Sequence, residues 1–484
     1  MSVVRRSVLF SAIEKYLSQA LAIGTMAVMA RVLTPAETGL FLTAYSVITL
    51  ADGFREFGIG SYLVQAGRLT RDEVRTAFTV TFLLSMVIGC GIVLASAPLA
   101  AFYGDGALRP LLVTASLAFV VMPFGTPISA LMRRDLAFRA IATINVGVAI
   151  TNAVATIGLG LAGFGPMSYV LAYVASALAG VGLTLLVRPD VWIFRPCFRE
   201  ARRIFVFGVV AAGISVVNIA YEILPRLVLG KLLGFGAVGL YSRASSVCQI
   251  PDRVVVSALQ PVVLPAMAAR ARAGGELSEA YLRGHELMSA FQWPSLALLA
   301  LLAHPVVLLL LGPQWDSAVP LVRMIAVATM ALAPAFMTYP SLVAAGRIGD
   351  ALRASLISLP PSIIAIVVAA NFGIEAVAAS LLVIAPFQML VALRFVSRAI
   401  GLRWRDLPRA SYRSAIVTLA TSAAPLLVIA LSPAGFDLGW LATAVAISGA
   451  GAGWLAAVWL TGHPVWAEVG AMWRVLATKF PVPA

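Results

Sequence analysis

Apolar residues run through this chain in blocks of about twenty, and turn residues or charges separate each block from the next. Reading between the breaks gives about fourteen candidate spans, near 8–30, 40–62, 78–100, 109–131, 140–162, 166–187, 204–225, 238–262, 286–310, 321–344, 352–370, 375–396, 412–431 and 438–460. Each has close to the ~20 residues with which an α-helix crosses ~30 Å of hydrocarbon. The first run follows the basic start "MSVVRRSVLF" and continues past about 20 residues, so it is read as a retained span rather than a cleavable signal. The expected fold class is an all-α integral membrane protein.

Composition agrees with the pattern. Of 484 residues, 61% are hydrophobic and 12% charged, with a mean hydropathy of +0.96. Soluble domains carry about 45–50% apolar residues and charged faces on their surface helices, and long stretches here have none. The net charge of +14 resolves into topology. If the N-terminus is cytoplasmic, the inner side receives Arg5, Arg6 and Lys15 and the basic clusters near 68–75, 133–139, 188–203, 270–283, 347–353, 394–413 and 474–479. The outer side receives only Arg31, Arg109, Lys231 and Arg323. The positive-inside rule then puts both termini in the cytoplasm, with the basic loops against anionic lipid headgroups. No aromatic-interleaved basic domain stands outside the spans, so nucleic acid is not expected as a partner.

The connections limit the chemistry. Outer loops such as "FYGDGALRP", "AGFGP", "NFGIE" and "LSPAGFD" are ordinary turns, too small for a catalytic subdomain. His285, His304 and His463 are scattered near span ends and form no cluster along the sequence. Cys90, Cys197 and Cys248 have neither disulfide nor metal-ligand spacing. Neither an enzyme, nor a metal, nor a cofactor is expected; dependence on membrane potential or an ion gradient is left open.

An internal echo organises the spans. "RVLTPAETGLF" at 31–41 lies 200 positions before "KLLGFGAVGLY" at 231–241, with basic residue, apolar pair, turn, Gly-Leu and an aromatic in register. Six spans separate the copies, an even number, so both have one orientation, as in parallel-repeat transporters. A looser echo links "LMRRDLAFRAI" near 131–141 with "AAGRIGDALRASL" near 344–356. The expected organisation is a six-helix lobe over 1–187, a cytoplasmic basic linker over 188–203 and a second six-helix lobe over 204–396. A basic loop with two additional spans over 397–460 and an interfacial tail over 461–484 complete it.

Charges inside the spans are the candidate functional residues. Asp52, Arg55 and Glu56 fall on one side of a helix through the second span, where unpaired charge costs several kcal/mol. Asn218, Glu222 and Arg226 form a second polar stripe at i, i+4 and i+8, beside Pro225. Arg243, Gln249, Arg253 and Gln260 follow in the eighth span. Asp52 and Glu56 fit helix-to-helix pairing as well as a functional role, while the surplus of arginine fits an anionic visitor.

At these motifs the chain resembles the polysaccharide flippases of the oligosaccharide-lipid exporter family, within the superfamily that includes multidrug and toxin extruders. The signatures are "RVLTPAETGLF", "FREFGIGSYLVQ" through Gln65, "LMRRDLAFRAIA", "VLGKLLGFGAVGLYSRASSVCQIPDRVVVSALQPVVLPAMA" and "LLLLGPQWDSAVPLVRMIA". They span roughly residues 5–400, and the last two spans match in hydropathy and placement alone. The resemblance implies transfer of an undecaprenyl-diphosphate-linked oligosaccharide across the bacterial inner membrane by alternating access, for capsule, exopolysaccharide or O-antigen synthesis. It implies a cationic cavity, for which Arg55, Arg226 and Arg243 are the substrate-binding candidates, with Asp52, Glu56, Asn218 and Glu222 in pairing or coupling roles. Implied partners are the lipid-linked glycan, membrane lipids, glycosyltransferases, and polymerisation and export proteins. The competing expectations are a drug or cation antiporter on the same fold, which favours intramembrane carboxylates without excess arginine, and a membrane-bound glycan-modifying enzyme. The tail places Trp466, Val469, Trp473 and Leu476 on one amphipathic face suited to the cytoplasmic interface.

Overall fold

A computed structural model describes residues 3–56, 58–66, 69–272 and 275–467 of the chain. The side chains of Glu56, Asn218, Glu222 and Gln260 lie outside the described set, as does the tail beyond residue 467, including Val469, Trp473 and Leu476. Every long element among the described residues is an α-helix. The chain divides into two compact units, Met1–Ser242 and Arg243–Ala484, the boundary falling inside one helix.

The first unit contains α1 (Val3–Val32), α2 (Pro35–Glu56), α3 (Ile59–Gln65), α4 (Arg71–Tyr103), α5 (Leu108–Val121), α6 (Thr126–Arg134), α7 (Phe138–Leu161), α8 (Met167–Val187), α9 (Ala201–Leu232) and the start of α10 (Gly234–Arg272). The expected continuous helix over 40–62 is interrupted. α2 ends at Glu56, and Gly58 takes a left-handed φ of 60° that directs the chain into the separate α3. Thr70 and Glu73 close a reciprocal capping box at the start of α4, and Tyr62 of α3 donates to the Glu73 carboxylate at 3.0 Å.

The two copies of the "Gly-Leu-aromatic" signature pack against each other. A Cβ added to Gly39 would stand 1.7 Å from the Phe235 carbonyl oxygen, and one added to Gly239 would stand 2.0 Å from that of Pro35. Only hydrogen fits at either position, so the backbones of α2 and α10 meet directly there.

The second unit contains the rest of α10, then α11 (Leu277–Leu301), α12 (Ala303–Leu310), α13 (Val319–Leu332), α14 (Thr338–Ala344), α15 (Ile348–Ala370), α16 (Ile374–Ile400), α17 (Asp406–Leu431) and α18 (Trp440–Leu460). α11 packs on α17, and α17 on α18. His285 and His463, separate in sequence, enter one buried network here. His285 Nε2 lies 2.9 Å from Ser411 Oγ, the Ser289 and Ser414 hydroxyls are 2.9 Å apart, and Ser414 Oγ is 3.2 Å from His463 Nε2. Both histidines are 1% exposed. They serve as hydrogen-bonded core residues, brought into one network by the fold although they form no cluster along the sequence.

Eight helices among the described residues are long and apolar enough to cross a membrane, or ten if the bent pairs α5–α6 (43°) and α11–α12 (86°) each count as one span. α1, α2, α9 and α10 are not in that set, and many side chains of α9 and α10 lie outside the described residues. Their apolar neighbours face outward. Leu94, Leu186, Val383 and Leu441 are 79, 81, 74 and 82% exposed on helix surfaces, the reverse of a soluble domain and the arrangement of a multi-pass membrane protein.

Loops assigned by charge to one side also meet one another. Arg188 bonds Asp135 at 2.6 Å, Arg199 bonds Asp72 at 2.8 Å, and Arg75 Nε donates to the Arg195 carbonyl at 3.0 Å, joining the clusters near 72, 135 and 195. On the other end of the unit Lys231 donates to the Phe102 carbonyl and Tyr103 to that of Leu227. In the second unit Arg347 donates to the Arg398 carbonyl at 3.0 Å, again within one predicted side.

Candidate functional site

The first unit contains two adjoining cavities, of about 460 and 350 Å³, that share Met122, Asn145, Val148, Ser176 and Ala177 in their walls. The smaller one carries cations: Arg55 from the last turn of α2 and Arg133 from the last turn of α6, with Thr126 and Ser129 between them. The larger one is neutral and polar in part, lined by Ser18, Thr25, Asn145, Asn152, Tyr173 and Ser176.

Arg55 is 6% exposed and held from two sides. Its Nε donates to Asp52 Oδ1 at 2.5 Å, the i, i+3 partner predicted from helical spacing, and its Nη1 donates to Thr126 Oγ at 3.3 Å. Thr126 in turn donates to the Met122 carbonyl at 3.1 Å, which fixes its hydroxyl beside the cavity. A guanidinium has five N–H donors, so this arrangement orients the head while leaving donors for an anion in the cavity.

The predicted residues are not all brought together. Asp52 and Arg55 form their pair. Arg226 is half-buried on α9 and Arg243 is 8% exposed on α10, at the start of the second unit; neither lines these cavities. The positions of the Glu56, Asn218 and Glu222 side chains lie outside the described residues.

Several lining residues were not singled out from sequence. Arg133 stands in a basic cluster and was counted with the headgroup-facing loops, yet it lines the smaller cavity. Asn145 and Asn152 lie seven apart in an otherwise apolar run, two turns on one face of α7, and that spacing is a signal sequence reading could have used. Asn145 also donates to Glu14 of α1 at 3.2 Å, tying the cavity wall to the first helix. Among the described residues no group of three or more His, Cys, Asp or Glu side chains is placed to hold a metal.

Residues 28–320 match the family model described as polysaccharide biosynthesis protein, more than half of the chain. The chain belongs to this family. It is 26% identical over 325 residues to the lipopolysaccharide biosynthesis protein WzxC of Escherichia coli K12, covering 66% of this chain and 65% of that relative, just under two thirds of its length. It is 27% identical over 348 residues to the succinoglycan biosynthesis transport protein ExoT of Rhizobium meliloti 1021, covering 71% and 70%. In fold it is similar to the lipid II flippase MurJ in an inward closed conformation, with a TM-score of 0.76 at 14% identity over 94% of this chain and 98% of that one. The likeness shows a shared multi-pass helical architecture.

Proposed function

We propose that this family member moves a polyprenyl-diphosphate-linked oligosaccharide from the cytoplasmic to the outer face of a bacterial inner membrane, for synthesis of a surface polysaccharide. One observation carries the reading: a buried guanidinium, oriented by Asp52 and Thr126, stands in the wall of a polar cavity inside a lipid-facing helical unit. A diphosphate headgroup cannot cross hydrocarbon unaided, and arginine matches phosphate oxygens by geometry as well as charge. The adjoining cavity, though apolar over much of its wall, offers the hydroxyls and amides of Ser18, Thr25, Asn145, Asn152 and Tyr173 to sugar hydroxyls. No covalent step is needed. An antiporter for drug cations on the same architecture would be served poorly by Arg55 and Arg133 in one cavity wall.

On this reading α1, α2 with α3, α9 and α10 complete about fourteen spans, their polar residues turned to the transport path rather than to lipid. Lobes over 1–187 and 204–396 then alternate access, α17 and α18 are additions, and both termini lie in the cytoplasm. Arg226 and Arg243, which line neither cavity, are further candidates for the diphosphate, and Glu56, Asn218 and Glu222 take pairing or coupling roles. An ion gradient or the membrane potential drives the cycle, and glycosyltransferases with polymerisation and export proteins supply and take the glycan.

The test is reconstitution with a defined polyprenyl-diphosphate oligosaccharide, reading protected against exposed headgroup. Arg55→Ala removes a charge-assisted donor worth about 2 kcal/mol, so transfer per folded molecule should fall roughly thirtyfold, and Arg55→Lys should fall less. Full activity in folded Arg55→Ala would leave Asp52 and Arg55 as a structural pair.

A further inference from the structure

The larger cavity of the first unit has a wall that a diphosphate does not explain. Among the described residues its lining carries no charge: α1 supplies Ser18 and Thr25, α7 supplies Asn145 and Asn152, and α8 supplies Tyr173. Its volume of about 460 Å³ falls within the ~300–1,000 Å³ of small-molecule pockets. Ser18 Oγ is buried in this wall with no hydrogen-bond partner among the described residues, and Asn145 donates to Glu14 at 3.2 Å.

An aromatic row leads to the same wall. Phe41 and Tyr45 are one turn apart on α2, and Tyr169 and Tyr173 are one turn apart on α8. Phe41 stacks on Tyr169 with ring centroids 4.3 Å apart, which is packing between the two helices. Tyr45 meets Tyr173 at 6.3 Å and 85°, the edge-to-face arrangement that fixes one ring against another. Tyr173 differs from the other rings in bordering the cavity while only half-buried. Its hydroxyl partner among the described residues is the Met122 sulfur, a weak acceptor 3.8 Å away.

We propose that this cavity is a subsite for an uncharged sugar ring of the transported glycan, with Tyr173 as the stacking residue and Tyr45 as the residue that positions it. A pyranose presents C–H bonds on its faces, whose weakly positive hydrogens suit the negative face of an aromatic ring, and a rim of hydroxyls that donate and accept. The wall is divided in the same way, with the Tyr173 ring and the methyl groups of Ala149 and Ala153 beside the hydroxyls and amides. A uronic acid would bring a carboxylate to a wall without a cation, and the cost of desolvating it selects against that sugar. The cationic cavity adjoins through Met122, Asn145 and Ser176, so a phosphate beside Arg55 and Arg133 directs the attached sugar to this wall. The subsite rests on the transport reading for its glycan; sugar binding by itself needs neither lipid nor movement.

Saturation-transfer NMR on the full-length protein in lipid nanodiscs tests it, because irradiation at aromatic frequencies reaches the protein and not the lipid. The neutral probes are the methyl glycosides of glucose, galactose, mannose and N-acetylglucosamine, and the charged probe is methyl glucuronide. At least one neutral glycoside should receive saturation, strongest on the C–H protons of one face, and methyl glucuronide should receive none. Tyr173→Ala should weaken that binding about tenfold, and Tyr173→Phe should keep most of it. Asn152→Leu, on another helix, should weaken it as well. Tyr45→Ala should reduce it and Tyr45→Phe restore it, while farnesyl diphosphate binds each variant as it binds the wild type. Absence of saturation in every neutral glycoside, equal saturation of methyl glucuronide, or unchanged binding in folded Tyr173→Ala or Asn152→Leu overturns the subsite, whether or not lipid-linked glycan is transferred. Saturation that follows the expected pattern in protein that transfers no lipid-linked glycan leaves the sugar subsite standing and removes the flippase reading.

Discussion

Polar groups around the cavities of the first unit and in the His–Ser network of the second are arranged differently. In the first, Arg55, Thr126, Ser129, Arg133, Asn145 and Asn152 border open cavity space. In the second, polar groups close on one another: His285 on Ser411, Ser289 on Ser414, Ser414 on His463, Gln388 on Ser362 and Trp454 on the Ala290 carbonyl. Its cavity between α11, α17 and α18, about 320 Å³, is lined chiefly by apolar residues such as Phe291, Leu298, Ile447 and Trp454. A polar group in a bundle must find a partner. At its cavities the first unit leaves part of that partnering to whatever fills them, and the His–Ser network of the second supplies it from within. Substitutions at the cavity-lining residues of the first unit should therefore act on ligand handling, and those in the hydrogen-bonded network of the second on folding.

The sharpest break comes at a position that is structural in the first unit. Gly39→Ala puts a methyl group into the backbone of α10, where the nearest atom is the carbonyl oxygen of Phe235. Backbone cannot yield as a side-chain tip can, so a penalty at or above the ~1–3 kcal/mol of core overpacking is expected. Thermal unfolding followed by fluorescence-detected size exclusion should show reduced folded protein. Gly236→Ala, where an added Cβ meets nothing within 4 Å, should be close to neutral. Equal stability of the two variants would mean that the contact between the signature copies is not formed in the membrane.

In the second unit Ser414→Ala should cost less, about 1–3 kcal/mol, by leaving Ser289 and His463 short of a buried partner. Transport per folded molecule should be unchanged. Loss of transport at normal stability would contradict the division drawn between the units.

The pH dependence of stability offers a finer distinction. His463 lies beyond the end of α18, and burial followed by the nearby Arg413 charge lowers its pKa to about 4. Its unfolded value is about 6.5. Stability from the neutral ring is thus complete above about pH 6.5 and is lost as pH falls toward about pH 4, because the unfolded state takes up the proton first. Hydrogen exchange across 405–467 should speed up in that window, and His463→Gln should flatten the change. An unaltered profile in His463→Gln would remove the histidine as its cause.

What could be read beforehand follows the same physics. The apolar runs, the charge alternation and the Asp52–Arg55 pair depend on local spacing, and local spacing is written in the sequence. The repeat was visible as eleven aligned letters at 31–41 and 231–241, but that its two glycines touch was not, because packing depends on the whole fold. Gly58 was hidden inside an apolar run, and its left-handed φ separates α2 from α3. The His–Ser network joins residues more than a hundred positions apart, and no spacing rule reaches that far. Arg133 was assigned to a loop because neighbouring arginines obey the positive-inside pattern, yet a cavity wall can also begin at a helix end.

The smallest effect concerns the basic loops, one from each unit, that the charge pattern assigns to the cytoplasm. Cys197 stands in the 188–203 segment, with its backbone N–H donating to Thr79 Oγ at 3.0 Å. Its thiol accepts from the backbone N–H of Arg199, which lowers its pKa below the ordinary thiol value. More of it is thiolate at neutral pH, and thiolate is the reactive form. Permeabilised cells treated with a maleimide should label Cys197 severalfold faster than a cysteine introduced by Arg405→Cys in a background without the native three. The difference should shrink as pH rises and the Arg405→Cys thiol also ionises. Intact cells treated with a membrane-impermeant maleimide should label neither. Labelling of one loop alone from outside would place the two basic segments on opposite faces, contradicting the even number of spans between them and with it the parallel repeat.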